Sequence, residues 1–200
     1  MSISFRNYSL VYFEDLMKLM CCEQVSKDCR CLSHRVEPQD LELDTLAANK
    51  MQTMTGQRKV HGILAFKGDK CIGWAGVEPM PMLVGHDVYE DLLGGEVDYQ
   101  MQDDHWGIHC MFVHPEHRGQ GLIKELVSEA VKYSEHRGAT KIIAFGAPAD
   151  IYKELPINQK FSGSEKHFQN LGFQKLVQMG RTYTIMVREV QDSKPRLSLA

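Results

Sequence analysis

The chain of 200 residues is 43% hydrophobic and 24% charged, and its formal net charge is -3. This composition is typical of a soluble globular protein, and the length is sufficient to bury one hydrophobic core. The slightly acidic balance argues against a dedicated nucleic-acid-binding protein, which normally carries a basic stripe. No apolar stretch is long enough to span a bilayer and the N-terminus lacks a signal-peptide pattern, so we expect a cytoplasmic protein without a membrane partner.

Hydrophobic periodicity predicts a strand, two helices and an antiparallel hairpin in the first part of the chain. Apolar residues recur with helical spacing in both helices, and Gly56 is a typical residue to end the second one. The two β-rich runs of the hairpin are joined by the short turn Lys67-Gly68-Asp69. The predicted ranges are 4–6 for the strand, 9–22 and 39–54 for the helices, and 61–66 and 70–77 for the hairpin strands.

The cysteines in this chain predict neither disulfides nor a metal centre. In a chain without a secretion signal they are expected to be reduced thiols. Cys29, Cys31 and His34 offer ligand atoms to zinc, but a structural zinc site needs a second, well-spaced ligand pair that is missing here. The sequence therefore predicts no metal, while a thiol- or zinc-dependent regulatory protein built on these residues together with Cys21 and Cys22 stays open as an alternative.

A long irregular connection, 80–104, follows the hairpin and precedes a predicted strand at 106–113. Connections of this length tend to be lids or binding loops. No lysine or arginine lies between Lys70 and Arg118. If the connection covers a cleft, its negative field favours a cationic partner, and a solvated acidic surface is the alternative. The acidic residues before and within it are Glu78, Asp87, Glu90, Asp91, Glu96, Asp98, Asp103 and Asp104.

The segment 111–123 carries the most functional information. An apolar run breaks at Pro115 into a basic turn with Gly119 and Gly121, and an amphipathic helix follows at once. Because glycine has no Cβ, the backbone can turn tightly and point successive N–H groups outward, where the positive end of the helix dipole adds to them. The pattern favours a turn that binds a diphosphate, although an isolated Gly-x-Gly is more often a plain strand-to-helix turn.

The last part of the chain completes a mixed sheet. Gly138 ends the helix after the glycines, and the order strand, helix, strand predicts a parallel pair joined by a right-handed crossover. A further helix over 164–170 ends at Gly172. The remaining predicted strands are 141–145, 173–177 and 182–188. We expect one folded domain over 1–189 and a flexible tail over 190–200.

The order of these elements, and two motifs within them, resemble the GNAT superfamily of acyl-CoA-dependent N-acetyltransferases. Val113-His-Pro-Glu-His-Arg-Gly-Gln-Gly-Leu-Ile123 resembles the acyl-CoA motif Q/R-x-x-G-x-G/A, with Glu116 at the position of Gln or Arg. His167-Phe-Gln-Asn-Leu-Gly-Phe173 resembles the family's late helix end, with Phe168 where a general-acid tyrosine usually lies. The resemblance is strong over 62–188 and merely compatible before that.

The resemblance implies an α+β fold of three layers, with a mixed, mostly antiparallel central sheet and helices on both faces. It also implies acetyl-CoA as the co-substrate, held by backbone amides of the glycine turn with Arg118 as the charged partner. In this family the central strand separates from its neighbour, and its backbone binds the pantetheine arm and polarises the thioester carbonyl. The residues that the resemblance places at the cofactor are Met111, Phe112, Val113, His117, Arg118, Gly119, Gln120, Gly121, Leu122, Ser164 and Phe168.

Acyl transfer to an amine needs a base, an oxyanion donor and a proton for the leaving sulfur. The resemblance implies backbone oxyanion donors at 111–113 and a histidine on the same strand. Strict alternation places His109 on one face with Met111 and Val113, and Trp106 and Ile108 on the other face. His109 is therefore the candidate general base, with a hydrogen-bonded core histidine as the alternative.

The acid is left unassigned by the motif, because phenylalanine at position 168 has no proton to donate. Tyr152 is the candidate acid, and release of the thiolate to water without a dedicated acid is an alternative. The other proton donors on elements that can face the cleft are Tyr99, Tyr183, Ser162 and Ser164.

The resemblance thus implies an N-acetyltransferase that passes an acetyl group from acetyl-CoA to a primary amine of a small molecule or peptide by direct attack in a ternary complex. The missing tyrosine keeps a second hypothesis open, a non-catalytic acyl-CoA-binding regulatory module. The amine acceptor, the preferred acyl length and the oligomeric state do not follow from one sequence, and a homodimer is compatible with it.

Overall fold

The computed structural model describes residues 2–24, 26, 31–36, 44–83, 102–156 and 160–190, with only the backbone described at 44–46. The strands are β1 Ile3–Asn7, β2 Gly62–Lys67, β3 Lys70–Pro79, β4 His105–Val113, β5 Lys141–Gly146, β6 Gln174–Met179 and β7 Tyr183–Glu189. The α-helices are α1 Phe13–Met20, α2 Asp44–Gly56, α3 Leu122–His136 and α4 Glu165–Gln169. Short 3-10 helices lie at Leu10–Tyr12, Met80–Met82 and Pro115–His117.

The strands form one sheet in the order β1-β2-β3-β4-β5-β7-β6. The pairing of β4 with β5 is parallel, and the other neighbouring pairs are antiparallel. The parallel pair is connected through α3, as the order strand, helix, strand predicted. The predicted mixed, mostly antiparallel sheet is therefore confirmed.

Helices cover both faces of the sheet, and α1 and α3 each present one apolar stripe to it. On one face, Leu122, Leu126 and Ala130 of α3 pack into a buried cluster with side chains of β2 to β5. On the other face, α1 and α2 pack around Trp74, whose side chain is fully buried. The predicted three-layer α+β arrangement is confirmed.

A bulge interrupts β4 in its middle. The pairing with β3 shifts between Gly76 and Val77, so that Gly76 pairs with Cys110 whereas Val77 pairs with Ile108. His109 is the extra residue of the bulge. An extra residue changes the phase of the alternation, so side chains before and after it no longer follow a single period of two.

The bulge corrects the side-chain alternation that the sequence predicted for β4. Trp106 and Ile108 pack in the same cluster as Met111 and Val113, on the face covered by α3. The prediction of opposite faces for these pairs is wrong. His109, predicted to share that face, instead has its ring among buried polar groups described below.

The helix boundaries differ from the prediction mainly at the N-terminal ends. The first predicted helix, 9–22, is a 3-10 turn followed by α1, which starts at Phe13. The second helix ends at Gly56 as predicted, while 39–43, most of the long connection and the predicted tail lie outside the described residues. Each described helix is too short or too polar to cross a lipid bilayer.

Candidate active site

The candidate site lies where β4 and β5 separate. The two strands pair only from His105 with Lys141 to Ile108 with Ala144. Beyond this point, within the described residues, the C-terminal half of β4 has no partner in β5. In an antiparallel ladder the backbone groups of successive residues point alternately to the two sides. Met111 and Val113 therefore point their backbone N–H and C=O groups away from β3, into the space between β4 and β5.

The segment 160–164 enters this space and bonds to both of its walls. The Met111 N–H donates to the Phe161 carbonyl at 2.6 Å, and the Ala147 N–H, just after β5, donates to the Gly163 carbonyl at 2.8 Å. The ring of Phe161 packs edge-on against Phe112, with ring centroids 5.4 Å apart. The Met111 amide, which the sequence analysis placed among the oxyanion donors, thus already has an acceptor within the protein.

At the end of β4 the chain forms the predicted glycine turn and enters α3. Gly119 and Gly121 have backbone φ angles of +73° and +83°, which residues with a Cβ atom adopt only with strain. Gly121 is the N-cap of α3, and the first amides of a helix have no intrahelical acceptor. The turn therefore directs unpaired N–H groups and the positive end of the α3 dipole to one place, as an anion site requires.

The glycine turn and the C-terminal half of β4 share one cleft of about 430 Å³. Most of the residues that the sequence analysis placed at the cofactor or the chemistry line it. They are Met111, Phe112, Val113, His117, Arg118, Gly119, Gly121, Leu122 and Tyr152. Among the cleft residues that the sequence analysis missed are Lys124, Lys160, Phe161 and His167. Together with Arg118, Lys124 and Lys160 make the cleft cationic.

Arg118 is held in place from two sides. Its Nε donates to the Val113 carbonyl at 2.9 Å, and its Nη1 and Nη2 donate to the two carboxylate oxygens of Glu23, the former at 3.1 Å. Both side chains are about one-third exposed. Glu23 follows α1, so this bidentate ion pair joins the N-terminal region to the glycine turn. The pair also places a carboxylate beside the predicted phosphate site, which no sequence pattern indicated.

Tyr152, the candidate acid, lies in the cleft wall with its hydroxyl directed at the Lys160 carbonyl, 3.4 Å away. Burial raises the pKa of Tyr152, so its phenol keeps its proton at neutral pH. The neighbouring His167 accepts a hydrogen bond at Nδ1 from the Ser164 amide at 3.1 Å. Burial lowers the pKa of His167, so this ring is neutral at pH 7.

Three predicted cofactor residues lie outside the cleft lining. Phe168 is fully buried and packs edge-on against Phe173 beneath the cleft. Ser164 is buried and forms the N-cap of α4. Gln120 is exposed, with its amide Nε2 3.3 Å from the Glu116 carbonyl.

Of the other candidate proton donors, Ser162 Oγ is shielded from solvent and has no hydrogen-bond partner among the described residues. Tyr183 is 44% exposed on β7. Tyr99 lies outside the described part of the chain. Within that part, Tyr152 is therefore the predicted donor that the structure brings to the cleft wall.

His109 lies behind the cleft in a buried network of charged groups. Its Nε2 is hydrogen-bonded to Oε2 of Glu78, and both side chains are almost fully buried. The other oxygen, Oε1, accepts bonds from Arg35 Nε at 2.9 Å, from Arg35 Nη2, and from the His61 amide at 3.0 Å. The His109 Nδ1 is buried and has no hydrogen-bond partner among the described residues.

Glu78 stays ionised in this network although it is buried. Burial by itself raises the pKa of a carboxyl group, but the charges of Arg35 and His109 and the hydrogen bonds to the carboxylate outweigh it and lower the pKa of Glu78 to about 2. Glu78 was predicted among the acidic residues that give the long connection a negative field. That grouping is wrong for Glu78, because its charge is paired internally, and Asp87 to Asp98 lie outside the described residues.

Cys31 belongs to the same network. Its Sγ accepts hydrogen bonds from Arg35 Nη1 at 2.9 Å and from Trp74 Nε1 at 3.0 Å. Burial by itself raises the pKa of a thiol, but a hydrogen bond from Cys110 and the charges of Arg35 and His109 lower the pKa of Cys31 to about 5. The described part of the predicted cysteine cluster therefore binds a guanidinium and an indole N–H.

Glu78, Arg35 and Phe161 were not predicted as parts of the site, and the sequence signals that could have indicated them differ. Glu78 ends an otherwise apolar strand, and a charged residue in such a run indicates either a surface or a buried pair. Arg35 pairs with Glu78 across 43 positions, and no local pattern reports such a pair. Phe161 likewise meets Met111 only because the fold brings 160–164 between the strands.

We predict that replacing Cys31 by serine removes part of the pH dependence of stability. The thiol is protonated in the unfolded chain below its reference pKa of 9.0, whereas the native pKa is about 5. This contribution is fully present above pH 9 and is lost as the pH falls towards 5. Between these values the wild-type free energy of unfolding should gain about 1.4 kcal/mol per pH unit relative to Cys31→Ser.

Urea unfolding between pH 5.5 and 8 measures the two slopes, and Cys71→Ser is the matched control. Cys71 is also buried, but burial raises its pKa to about 12, so it is protonated in both states over this range. Parallel slopes for wild type and Cys31→Ser would show that the native thiol is neutral.

Comparison with known proteins agrees with this geometry. The chain matches the acetyltransferase (GNAT) family model over residues 23–151. The structure of PaiA N-acetyltransferase from Thermoplasma acidophilum in complex with coenzyme A superimposes with a TM-score of 0.57 at 14% identity, covering 95% of this chain and 100% of that one. YncA from Salmonella typhimurium, solved with its cofactor acetyl-CoA, gives a TM-score of 0.56 at 11% identity and covers 96% of each chain.

Ribosomal-protein-alanine N-acetyltransferase from Brucella melitensis is similar to the same extent, with a TM-score of 0.55 at 12% identity over 94% of this chain and 99% of that one. No curated protein sequence is significantly similar to this chain. At these identities the solved structures establish a shared fold, and the family model establishes membership over more than half of the chain. The chain belongs to the acetyltransferase (GNAT) family and is an acyl-CoA-dependent acetyltransferase.

Proposed function

We propose that this protein transfers an acetyl group from acetyl-CoA to a primary amine of a small molecule or peptide, by direct attack in a ternary complex. The observation that carries the proposal is the cleft that runs from the backbone of Met111 and Val113 to the glycine turn at the start of α3. A thioester arm fits along the part of β4 that has no partner in β5, and a diphosphate fits the unpaired amides of the helix N-terminus. The cleft thus offers both groups of one cofactor a binding surface.

His109 is proposed as the general base. The Glu78 carboxylate only accepts hydrogen bonds, so His109 Nε2 donates to it, and a ring that is protonated at Nε2 alone has its lone pair on Nδ1. That atom has no partner among the described residues and lies behind the cleft, so we propose that it takes the proton from the amine through water. Tyr152, protonated at neutral pH, is proposed as the donor to the leaving thiolate.

The acceptor is proposed to be cationic before it loses its proton. The acidic residues of the long connection supply a negative field that favours such an amine. Because Glu78 is paired inside the protein, this field rests on the remaining acidic residues of that connection.

The bond between the Met111 amide and the Phe161 carbonyl has to open for this transfer; if it stayed closed, the chain would be the non-catalytic acyl-CoA-binding module that the sequence left open as an alternative. Catalysis requires that bond to exchange for one to the thioester carbonyl. Release of CoA thiol from acetyl-CoA across a panel of primary amines, polyamines and lysine peptides separates the two functions. Turnover with any amine supports the transferase, whereas tight cofactor binding without turnover supports the module.

We predict that His109→Gln lowers kcat about 100-fold while the acetyl-CoA Kd changes little, because the amide keeps a donor for Glu78 but cannot act as a base. Steady-state kinetics with the best amine and calorimetry with acetyl-CoA measure the two quantities. His105→Gln, on the paired end of the same strand, is the control for a buried histidine. Full activity of His109→Gln would exclude the proposed role.

We predict that Gly121→Ala weakens CoA binding whereas Gly138→Ala does not. Both glycines have positive φ, at +83° and +86°, and a Cβ at either would meet no atom within 4 Å. The backbone strain of about 1–2 kcal/mol is therefore similar at the two ends of α3. Only the change at Gly121 alters the amides beside the cleft, so calorimetry should show a weaker CoA Kd for that variant alone. Equal affinities would argue against the glycine turn as the phosphate site.

We predict that Glu23→Gln tightens CoA binding. Without the carboxylate, Arg118 is released for the cofactor phosphates and a repulsive charge is lost. For a pair this exposed the gain should be about two- to fivefold in Kd. It should shrink at high salt, because exposed charges are screened.

Glu129→Gln, which breaks an exposed pair with Lys132 on α3, is the matched control. Calorimetry at two ionic strengths measures the effect. Weaker binding by Glu23→Gln would mean that the ion pair positions Arg118 for the cofactor.

A further inference from the structure

The turn 114–117, between β4 and the glycine turn, brings together three side chains that can bind a metal. It reads His114-Pro-Glu-His117 and contains the 3-10 helix Pro115–His117. The His114 amide donates to the Ile72 carbonyl of β3 at 2.9 Å, and the His117 amide donates to the His114 carbonyl at 2.8 Å. The backbone of the turn is therefore fixed against β3, at the C-terminal end of β4.

One ligand atom from each of His114, Glu116 and His117 lies within 4.8 Å of the other two. The His114 Nδ1 is 3.8 Å from Glu116 Oε2, and the two imidazole rings have centroids 5.8 Å apart. Ligand atoms around a tetrahedral zinc ion are separated by about 3.3 Å, given zinc–ligand distances near 2.0 Å. Rotation about side-chain bonds is sufficient to close the difference, since Glu116 is exposed and its ion pair with Lys70 is long at 3.4 Å.

The His114 ring offers a nitrogen atom that the described part of the protein leaves without a hydrogen bond. Its Nδ1 is shielded from solvent and has no hydrogen-bond partner among the described residues. A buried ring nitrogen without a partner normally has an explanation such as water or an ion.

We propose that His114, Glu116 and His117 form a binding site for a zinc ion, with water in the remaining coordination position. Two imidazoles and one carboxylate are a donor set that suits zinc, whereas magnesium and calcium prefer oxygen ligands throughout. The ion has no part in the acyl transfer proposed above. Because His117 also lines the cleft, the site lies directly beside the glycine turn.

Zinc binding to the full chain tests the proposal. The protein is stripped with a chelator and titrated with zinc chloride against a chromogenic chelator. Because Cys21 and Cys22 are exposed thiols, and thiolates are zinc ligands, all variants are made in a Cys21→Ser, Cys22→Ser background. The background protein should bind one zinc ion at this site, and excess magnesium should not displace it.

His114→Ala and His117→Ala should each weaken this binding by about tenfold or more, because an imidazole ligand is lost. Glu116→Gln should also weaken it, and it leaves both rings in place if an alanine variant proves unstable. His136→Ala, an exposed histidine at the far end of α3, is the matched control and should bind as the background does. Circular dichroism checks that each variant is folded.

The proposal is overturned if the background protein binds no zinc, or if zinc affinity is the same in the background and in the folded His114→Ala, His117→Ala and Glu116→Gln variants. The readout is metal affinity and does not depend on acetyl transfer. Zinc binding without turnover would therefore support the zinc site and contradict the proposed transfer. Turnover without zinc binding would support the transfer and contradict the zinc site.

Discussion

The separation of β4 from β5 after four paired residues is the constraint on which the rest of the site depends. A strand that loses its neighbour exposes backbone donors and acceptors, and these need partners from water, protein or ligand. Here the cleft forms along that edge, α3 begins at its end, and 160–164 supplies one internal partner, to Met111. The cofactor path therefore follows from an interruption of sheet pairing more than from any single side chain.

The second organising feature is the buried charge network behind β4. Removing Glu78, Arg35 and Cys31 from water is costly, and such groups persist only when they neutralise and hydrogen-bond one another. The network joins the N-terminal segment 31–36 to β3 and β4, next to the bulge at His109. It fixes which ring nitrogen of His109 carries the proton, and so connects a structural feature of the core with the chemistry proposed for the cleft.

Most of the fold and the glycine turn were predictable because their signals are local. Helical periodicity, Gly121 at the start of α3 and Gly138 after it each report a conformation within a few residues of sequence. The bulge at His109 was not predictable, since one extra residue in a buried strand leaves the apolar pattern nearly unchanged. The pairing of Arg35 with Glu78 also escaped, because contacts across long sequence separations are set by the fold.

Because the Phe161 carbonyl already accepts the hydrogen bond of the Met111 amide, the protein has little means there to distinguish acetyl-CoA from free CoA. A thioester that takes its place on the Met111 amide exchanges one hydrogen bond for another, so the acyl group gains little net free energy there. Free coenzyme and its acetyl ester should then compete almost equally for the resting protein. Selection among acyl chains would depend on whether the Phe112 and Phe161 rings, which meet edge to face, can part to admit a longer one.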